Sequence, residues 1–413
     1  MAYGAGAHRF AANPLRTLVL VAVAAAILAY LFVSPPALTR GGIDFSAFYC
    51  ASRALSDGAN PYRYEPLHTC EHGVRAWPRR ADVVTAPLPP YALALLTPIA
   101  RLPYPQASLL WFALLVASAG VMVWAVLEFT QLPLLVVGGP IAVAVLLQSL
   151  PTGSLAPVTL ALLCAAAVAL SRKRWTTTAV LVGFACLEPH VALPVLLALV
   201  VLVPEMRRRL ALVVAALLAL SVIAGGLALN AEYFRVVLPG HARIELGSIV
   251  QFSLSSMLYN FGVSDRTALA LGSLQYALFV AGGVWLAHAL RRFGPATAVL
   301  VPMALAVTGG VYIHLTQLAA VLPLAFVIAA RTRSLLAWTG IALIAVPWNL
   351  LEAFTPATLT VPRLSEVIAR VLERQGTAGE VAYLANALVY AGIACVFAGG
   401  LPAFRPGDAL PDR

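Results

Sequence analysis

The chain contains few charged residues, and this composition decides which structural class of protein it belongs to. Only 11% of its 413 residues are charged, whereas 61% are hydrophobic, which excludes an ordinary soluble globular domain and predicts a polytopic membrane protein. The sequence has no CxxC or HExxH pattern and no nucleotide-binding glycine loop, so we expect no metal site and no cofactor. It also lacks a repeat array and a low-complexity tail, and we expect one integral-membrane domain over residues 1–413.

Apolar runs predict about twelve transmembrane helices in an all-α fold, because roughly 20 apolar residues cross a bilayer core. The predicted spans are residues 15–33, 106–127, 132–149, 156–171, 175–187, 190–204, 209–229, 267–289, 296–310, 311–330, 335–352 and 381–402. The proline-rich run at 86–100 is interpreted as re-entrant or juxtamembrane. The predicted outer loops are residues 34–106, which contain juxtamembrane helices, 230–266 and 353–380.

The formal net charge of +10 indicates how the chain is oriented in the membrane, rather than nucleic-acid binding. If the N-terminus is inside and 86–100 does not cross, the whole basic excess falls on the inner face, as the positive-inside rule expects. Basic runs such as 172–174 and 207–209 then serve as topology signals. Both termini are predicted to be cytoplasmic, and the long polar loops are predicted to face outward.

The stretch from Gly41 to Tyr62 opens the longest polar segment. Phe45, Phe48 and Ser52 recur at helical steps, which predicts an amphipathic helix on the membrane surface, with Asp44 at its start. Asp44 is either a helix cap or a functional carboxylate.

Cys50 and Cys70 lie in the same predicted outer loop. Their spacing permits a disulfide, provided that the loop faces an oxidising compartment, without requiring one.

Ionisable groups at membrane depth are functional candidates, because burying them in lipid is costly. Asp44, Glu188, His190 and His314 all fall near the predicted outer face. An acid could take a proton from an acceptor hydroxyl there, and cations could stabilise a departing lipid-linked phosphate. The alternatives are a satisfied core histidine at His314 and a structural ion pair of Glu188 with His190 or with an arginine. Further candidate cations in the outer loops are Arg79, Arg80, Arg235 and Arg243.

The segment D-F-x-x-F-Y-x-x-x-R-A-L-x-x-G-x-x-P-Y, from Asp44 to Tyr62, resembles the first outer loop of GT-C type glycosyltransferases. It is most similar to glycosyltransferase family 87, the polyprenyl-phosphate-mannose-dependent mannosyltransferase group. Leu88-Pro89-Pro90-Tyr91 resembles the family's Tyr-Pro-Pro segment, Gln251-Phe-Ser-Leu its Asn-Gln-Ser-Leu stretch, and His314 its late outer-face histidine.

The resemblance implies inverting sugar transfer from a polyprenyl phosphate to a lipid-linked or cell-envelope glycan, at the outer face of a bacterial inner membrane. Asp44 would be the general base and His314 would assist. The substrate-binding candidates are Tyr49, Arg53, Tyr62, Glu188, His190, Arg243 and Gln251. Glu188 stands where the family often has lysine and Ser154 where it often has glutamine, so donor and acceptor need not be those of the mannosyltransferases.

Two other classes of function stay open at this point. A transporter or flippase for an envelope lipid would show broken helices, midplane charges and internal symmetry. A non-catalytic assembly subunit would use its first outer loop only to dock a partner.

Overall fold

The computed structural model describes residues 42–74, 83–247, 251–346 and 377–400. Within these ranges the chain is helical throughout, and an isolated bridge pairs Gln251 with His314. The first eight helices are α1 (Ile43–Ser56), α2 (Tyr64–Val74), α3 (Pro90–Ala100), α4 (Tyr104–Thr130), α5 (Leu134–Ser149), α6 (Ala156–Ser171), α7 (Trp175–Ala185) and α8 (Pro189–Leu202). The others are α9 (Arg207–Glu232), α10 (Leu238–Leu246), α11 (Leu254–Asn260), α12 (Asp265–Ala289), α13 (Thr297–Thr308), α14 (Leu315–Leu318), α15 (Val321–Thr332), α16 (Leu335–Ala345) and α17 (Thr377–Gly400).

Most of the predicted spans that the structure describes contain helices, and the regular secondary structure is helical, which confirms the all-α class. The predicted span at 311–330 differs at its start, where residues 311–314 are not helical and His314 pairs with Gln251. Three stretches within the described ranges are long and apolar enough to cross a membrane: Tyr104–Thr130, Pro204–Leu246 and Asp265–Ala289. Most of the other apolar helices are shorter, so the count of twelve spans stays a prediction. The predicted first span at 15–33 and most of the predicted third outer loop lie outside the described residues. Helix α3 has 11 residues and is about 16 Å long, shorter than a bilayer core.

Helix α1 is packed inside the protein, which corrects the prediction of a surface-lying helix. Residues on several of its faces are buried, among them Phe45 at 3% exposed and Ala51 at 0%. The Asp44 backbone N–H donates to the Thr152 carbonyl at 2.8 Å, and a side chain at Gly42 would overlap Thr152. The start of α1 is therefore fixed against the turn between α5 and α6.

The first loop folds back on α1 and α9. Cys50 and Cys70 form a disulfide that joins α1 to α2. Their spacing in the sequence permitted this bond without requiring it. Asn60 donates to Glu232 at 2.9 Å, and Arg63 pairs with the same carboxylate at 3.1 Å. These contacts connect the end of α9 to the loop that follows α1.

A kink in α9 changes the direction of the longest apolar stretch. Gly226 has φ of 61°, a left-handed conformation that favours glycine. The Asn230 amide donates to the carbonyls of Gly226 at 2.6 Å and Ser221 at 3.0 Å, so backbone groups near the kink keep partners inside an apolar segment. Residues before and after the kink can thus face one space.

Helix α6 runs between two pockets and defines two ends of the bundle. Helix α6 begins beside Ser154 and Leu155, which line a large cavity, and it ends at Ser171, which lines a smaller pocket. The 16 residues of α6, Ala156–Ser171, correspond to about 24 Å of helix. We call these the cavity end and the arginine end.

Candidate functional site

The cavity at the first end has a volume of about 500 Å³. Its polar lining comes from separate parts of the chain and includes Asp44, Glu188, His190, His241, Glu245 and His314. Its apolar flank comes from α8, α9 and the segment after the kink, and includes Leu193, Leu196, Val214, Leu217, Leu218 and Phe234. The cavity thus has the amphipathic lining that a lipid with a polar head requires.

Asp44 reaches the cavity because of its position on α1. Gly42 is the N-cap residue and Asp44 is the second helical residue, so the helix-cap alternative is wrong. Ala47 and Phe48 line the cavity beside Asp44, as expected for residues three and four positions apart on one helix face.

Gln317 connects three of the cavity-lining groups. Its Oε1 accepts from the His314 backbone N–H at 3.0 Å, and this obligatory donor fixes the orientation of the amide. The Nε2 group then donates to Glu188 Oε1 at 3.3 Å and to His190 Nε2 at 2.8 Å. Gln317 therefore separates Glu188 from His190, which corrects the alternative of a direct ion pair between those two side chains.

Gln251 also connects several groups by hydrogen bonds, on the other side of His314. Its Oε1 accepts from the Ile313 backbone N–H at 2.7 Å, and its Nε2 donates to Glu245 Oε2 at 2.6 Å. The same Nε2 lies 3.1 Å from His314 Nε2. With only 3% of its surface exposed, Gln251 is placed to orient Glu245 and His314 and does not itself line the cavity.

The Glu245 carboxylate lies between two imidazoles. His241 Nε2 is 3.7 Å from Glu245 Oε1, and His314 Nε2 is 3.8 Å from Glu245 Oε2. The ring of Tyr312 lies 5.3 Å from that of His241 and 5.4 Å from that of His190. Aromatic and imidazole rings thus surround the polar end of the cavity.

Glu188 lies in the turn between α7 and α8 and is 8% exposed. Burial raises its pKa to about 7; the hydrogen bond from Gln317 opposes this shift, and the nearby charge of Asp44 adds to it. The carboxyl can therefore hold or release a proton near neutral pH, which suits a group that takes part in proton transfer.

Four of the nine predicted site residues line the cavity: Asp44, Glu188, His190 and His314. Tyr49 and Arg53 do not, since positions five and nine residues after Asp44 turn by about 140° and 180° on a helix. Their side chains bond to each other at 3.1 Å, and the Tyr49 hydroxyl donates to Leu102 O at 2.9 Å.

Tyr62 and Arg243 also lie outside the cavity. Tyr62 donates to the Leu88 carbonyl at 2.8 Å and so supports the wall from behind. Arg243 is exposed and 3.9 Å from Asp265. It lies two positions after His241 on α10, which places the two side chains on nearly opposite helix faces.

The predicted cations that the structure describes, Arg235 and Arg243, do not line the cavity. Among the described residues no lysine or arginine lines it, and Arg235 is exposed on the segment after the kink. Arg79 and Arg80 lie outside the described residues. The described lining therefore offers imidazole and amide groups that can form hydrogen bonds, rather than a fixed positive charge.

Several lining residues were missed by the sequence reasoning, chiefly His241, Glu245, Tyr312 and Gln317. The i, i+4 spacing of His241 and Glu245 would have placed them on one helix face. No group of three or more His, Cys, Asp or Glu side chains with the geometry of a metal site occurs in the part of the chain that the structure describes.

Comparison with known families adds an independent observation. The model of glycosyltransferase family 87 matches residues 88–312, which is more than half of the chain. The chain belongs to glycosyltransferase family 87. It has no match among curated proteins or among solved structures.

Family membership makes the chain a glycosyltransferase with apolar, membrane-type helices. The matched stretch contains Glu188, His190, His241 and Glu245, but it begins after Asp44 and ends before His314. The roles of those last two residues therefore depend on their position in the cavity.

Proposed function

We propose that this family 87 glycosyltransferase transfers a hexose, such as mannose, from a polyprenyl phosphate to a lipid-linked or cell-envelope glycan. The observation that carries the proposal is the two-part lining of one cavity. Carboxylates and imidazoles meet at its polar end, while leucine, valine and phenylalanine side chains form its flank. A sugar phosphate fits the first part and an isoprenoid chain the second.

Asp44 is the proposed general base. Its carboxylate would take the proton of the acceptor hydroxyl as that oxygen attacks the anomeric carbon, and the bond to the donor phosphate would break with inversion. His314, together with His190 and His241, would stabilise the departing phosphate through charge-assisted hydrogen bonds. Gln251 and Gln317 hold the imidazole and carboxyl groups in position.

The cavity end would face outward from a bacterial inner membrane. Basic side chains lie at the other end of α6, α13 and α15, at Arg172, Lys173, Arg174, Arg291, Arg331 and Arg333. This distribution agrees with the positive-inside rule and leaves both termini, as proposed, in the cytoplasm.

The test is sugar transfer by purified protein carrying Asp44→Asn, with Asp57→Asn as the matched control. Asp57 is the exposed C-cap residue of the same helix. We expect the Asp44→Asn variant to lose at least about 100-fold in kcat, as loss of a general base implies, while the control keeps wild-type turnover. Near-normal turnover of a folded Asp44→Asn variant would exclude the base role. Movement of labelled lipid without covalent transfer would favour a flippase instead.

A further inference from the structure

A second pocket, of about 310 Å³, lies at the arginine end of the bundle. Its walls come from the last turns of α4 and α6, the start of α13 with the segment before it, and residues along α15. None of its lining residues is shared with the cavity. Nothing in the glycosyl transfer proposed above uses this pocket.

Two guanidinium groups reach the pocket from different helices. Arg172 Nη2 bonds to Glu128 Oε2 at 2.9 Å, and Arg331 Nη1 donates to the Phe293 carbonyl at 3.0 Å. Both arginines are exposed. Each contact engages one of the five N–H donors of a guanidinium, so donors of both side chains remain for a further acceptor.

The rest of the lining is amphipathic. Ser171 and Thr297 add hydroxyl groups, and Val168, Leu300, Leu324 and Val327 form an apolar wall between α6, α13 and α15. Exposed Lys173, Arg174, Arg291 and Arg333 lie close by in sequence. Glu128 is the only acid that lines this pocket among the described residues, so the net charge around it is positive.

We infer that this pocket binds the headgroup of an anionic phospholipid from the leaflet at the arginine end. The phosphate would sit between Arg172 and Arg331, with its first acyl carbons against the valine and leucine wall. Basic pockets between transmembrane helices bind anionic headgroups in this manner. The apolar wall favours a lipid over free phosphate, because a free anion gains nothing from it.

The experiment measures lipid binding to the full purified chain in detergent by native mass spectrometry. Phosphatidylglycerol is titrated against phosphatidylcholine with the same acyl chains, and inorganic phosphate is added as competitor. We expect phosphatidylglycerol to bind preferentially and Arg331→Gln or Arg172→Gln to weaken it by on the order of fivefold each. Arg208→Gln, which removes an exposed charge at the same end away from the pocket, should leave binding unchanged.

Arg331→Gln also removes a bond to Phe293 and could unfold that region, so a second variant is needed. Thr297→Asp places a negative charge inside the pocket at the first residue of α13, where a helix favours an acid. We expect it to stay folded and to lose the preference for phosphatidylglycerol. The inference would be overturned if the wild type bound both lipids equally, or if Arg208→Gln weakened phosphatidylglycerol binding as much as the pocket variants do. It would also be overturned if Thr297→Asp kept the full preference for phosphatidylglycerol, or if millimolar phosphate displaced the lipid completely.

Discussion

The two ends of the bundle carry different kinds of ionisable group. Carboxyl and imidazole side chains line the cavity, among them Glu188, Glu245 and His314, while Arg172 and Arg331 line the pocket about 24 Å away along α6. Burial raises the pKa of the Glu188 carboxyl to about 7, so this group can gain or lose a proton near neutral pH, whereas a guanidinium stays charged.

The difference separates two tasks. The cavity end has groups that can move a proton, as attack by a hydroxyl on a sugar requires. The arginine end has fixed positive charges, which can hold an anion or set orientation but cannot serve as acid or base. Substitutions that remove ionisable or apolar side chains from the cavity end should show whether it performs sugar transfer.

The largest effect in this comparison is expected from removing the imidazole of His314. His314→Gln keeps a hydrogen-bonding side chain but removes the imidazole that would contact the departing phosphate, and we expect kcat to fall by about 100-fold. The measurement is steady-state sugar transfer. His288→Gln, an exposed histidine in the last turn of α12, is the control and should keep wild-type kcat. Equal activity in both variants would mean that His314 plays no part in transfer.

An intermediate effect is expected at the apolar flank. Leu217→Asn places an amide where the isoprenoid chain would lie, and the lost apolar contact should raise KM for a long-chain donor about tenfold. The same change should leave KM for a donor with a two-isoprene chain nearly unaltered. Leu212→Asn, on the same helix with 62% of its surface exposed, is the matched control. A uniform rise for both donors, or an equal rise in the control, would contradict the lipid path.

The smallest effect concerns the dependence of stability on pH. Because the folded protein raises the pKa of Glu188 to about 7, it binds this proton more tightly than the unfolded chain. The resulting stabilisation is complete when the pH is below the ordinary pKa of a glutamate, and it is lost as the pH rises through about 7. We therefore expect Glu188→Gln to flatten the fall in Tm between pH 5.5 and pH 8. Exposed Glu205→Gln should keep the wild-type slope; equal slopes in all three proteins would refute this assignment.

Much of the architecture could be predicted, because apolar runs determine where helices form. Asp44, Glu188 and His314 were also expected at one end, since each stands beside the boundary of an apolar run, and all three line one cavity. Sequence position alone could not tell which face of a helix meets the cavity. Tyr49 and Arg53 belong to the same motif as Asp44 but point away from the cavity, and they bond to each other instead.

The residues that were missed depend on contacts between distant segments. Val214 and His241 line one cavity, although on a straight helix 27 residues would separate them by about 40 Å. The kink at Gly226 brings them together. The pair Gly225-Gly226 is a turn signal, but residues 209–229 were predicted as one uninterrupted span. Gln251 could be singled out from the resemblance, but its bonds to Ile313 and Glu245 show that it supports the site from behind.

The most direct test of the account is a structure of the protein with a polyprenyl phosphate bound. We expect the phosphate beside His190, His241 and His314, within reach of Asp44, and the isoprenoid chain along Leu193 and Leu217. A phosphate found only between Arg172 and Arg331, with the cavity empty, would contradict the assignment of sugar transfer to the cavity end.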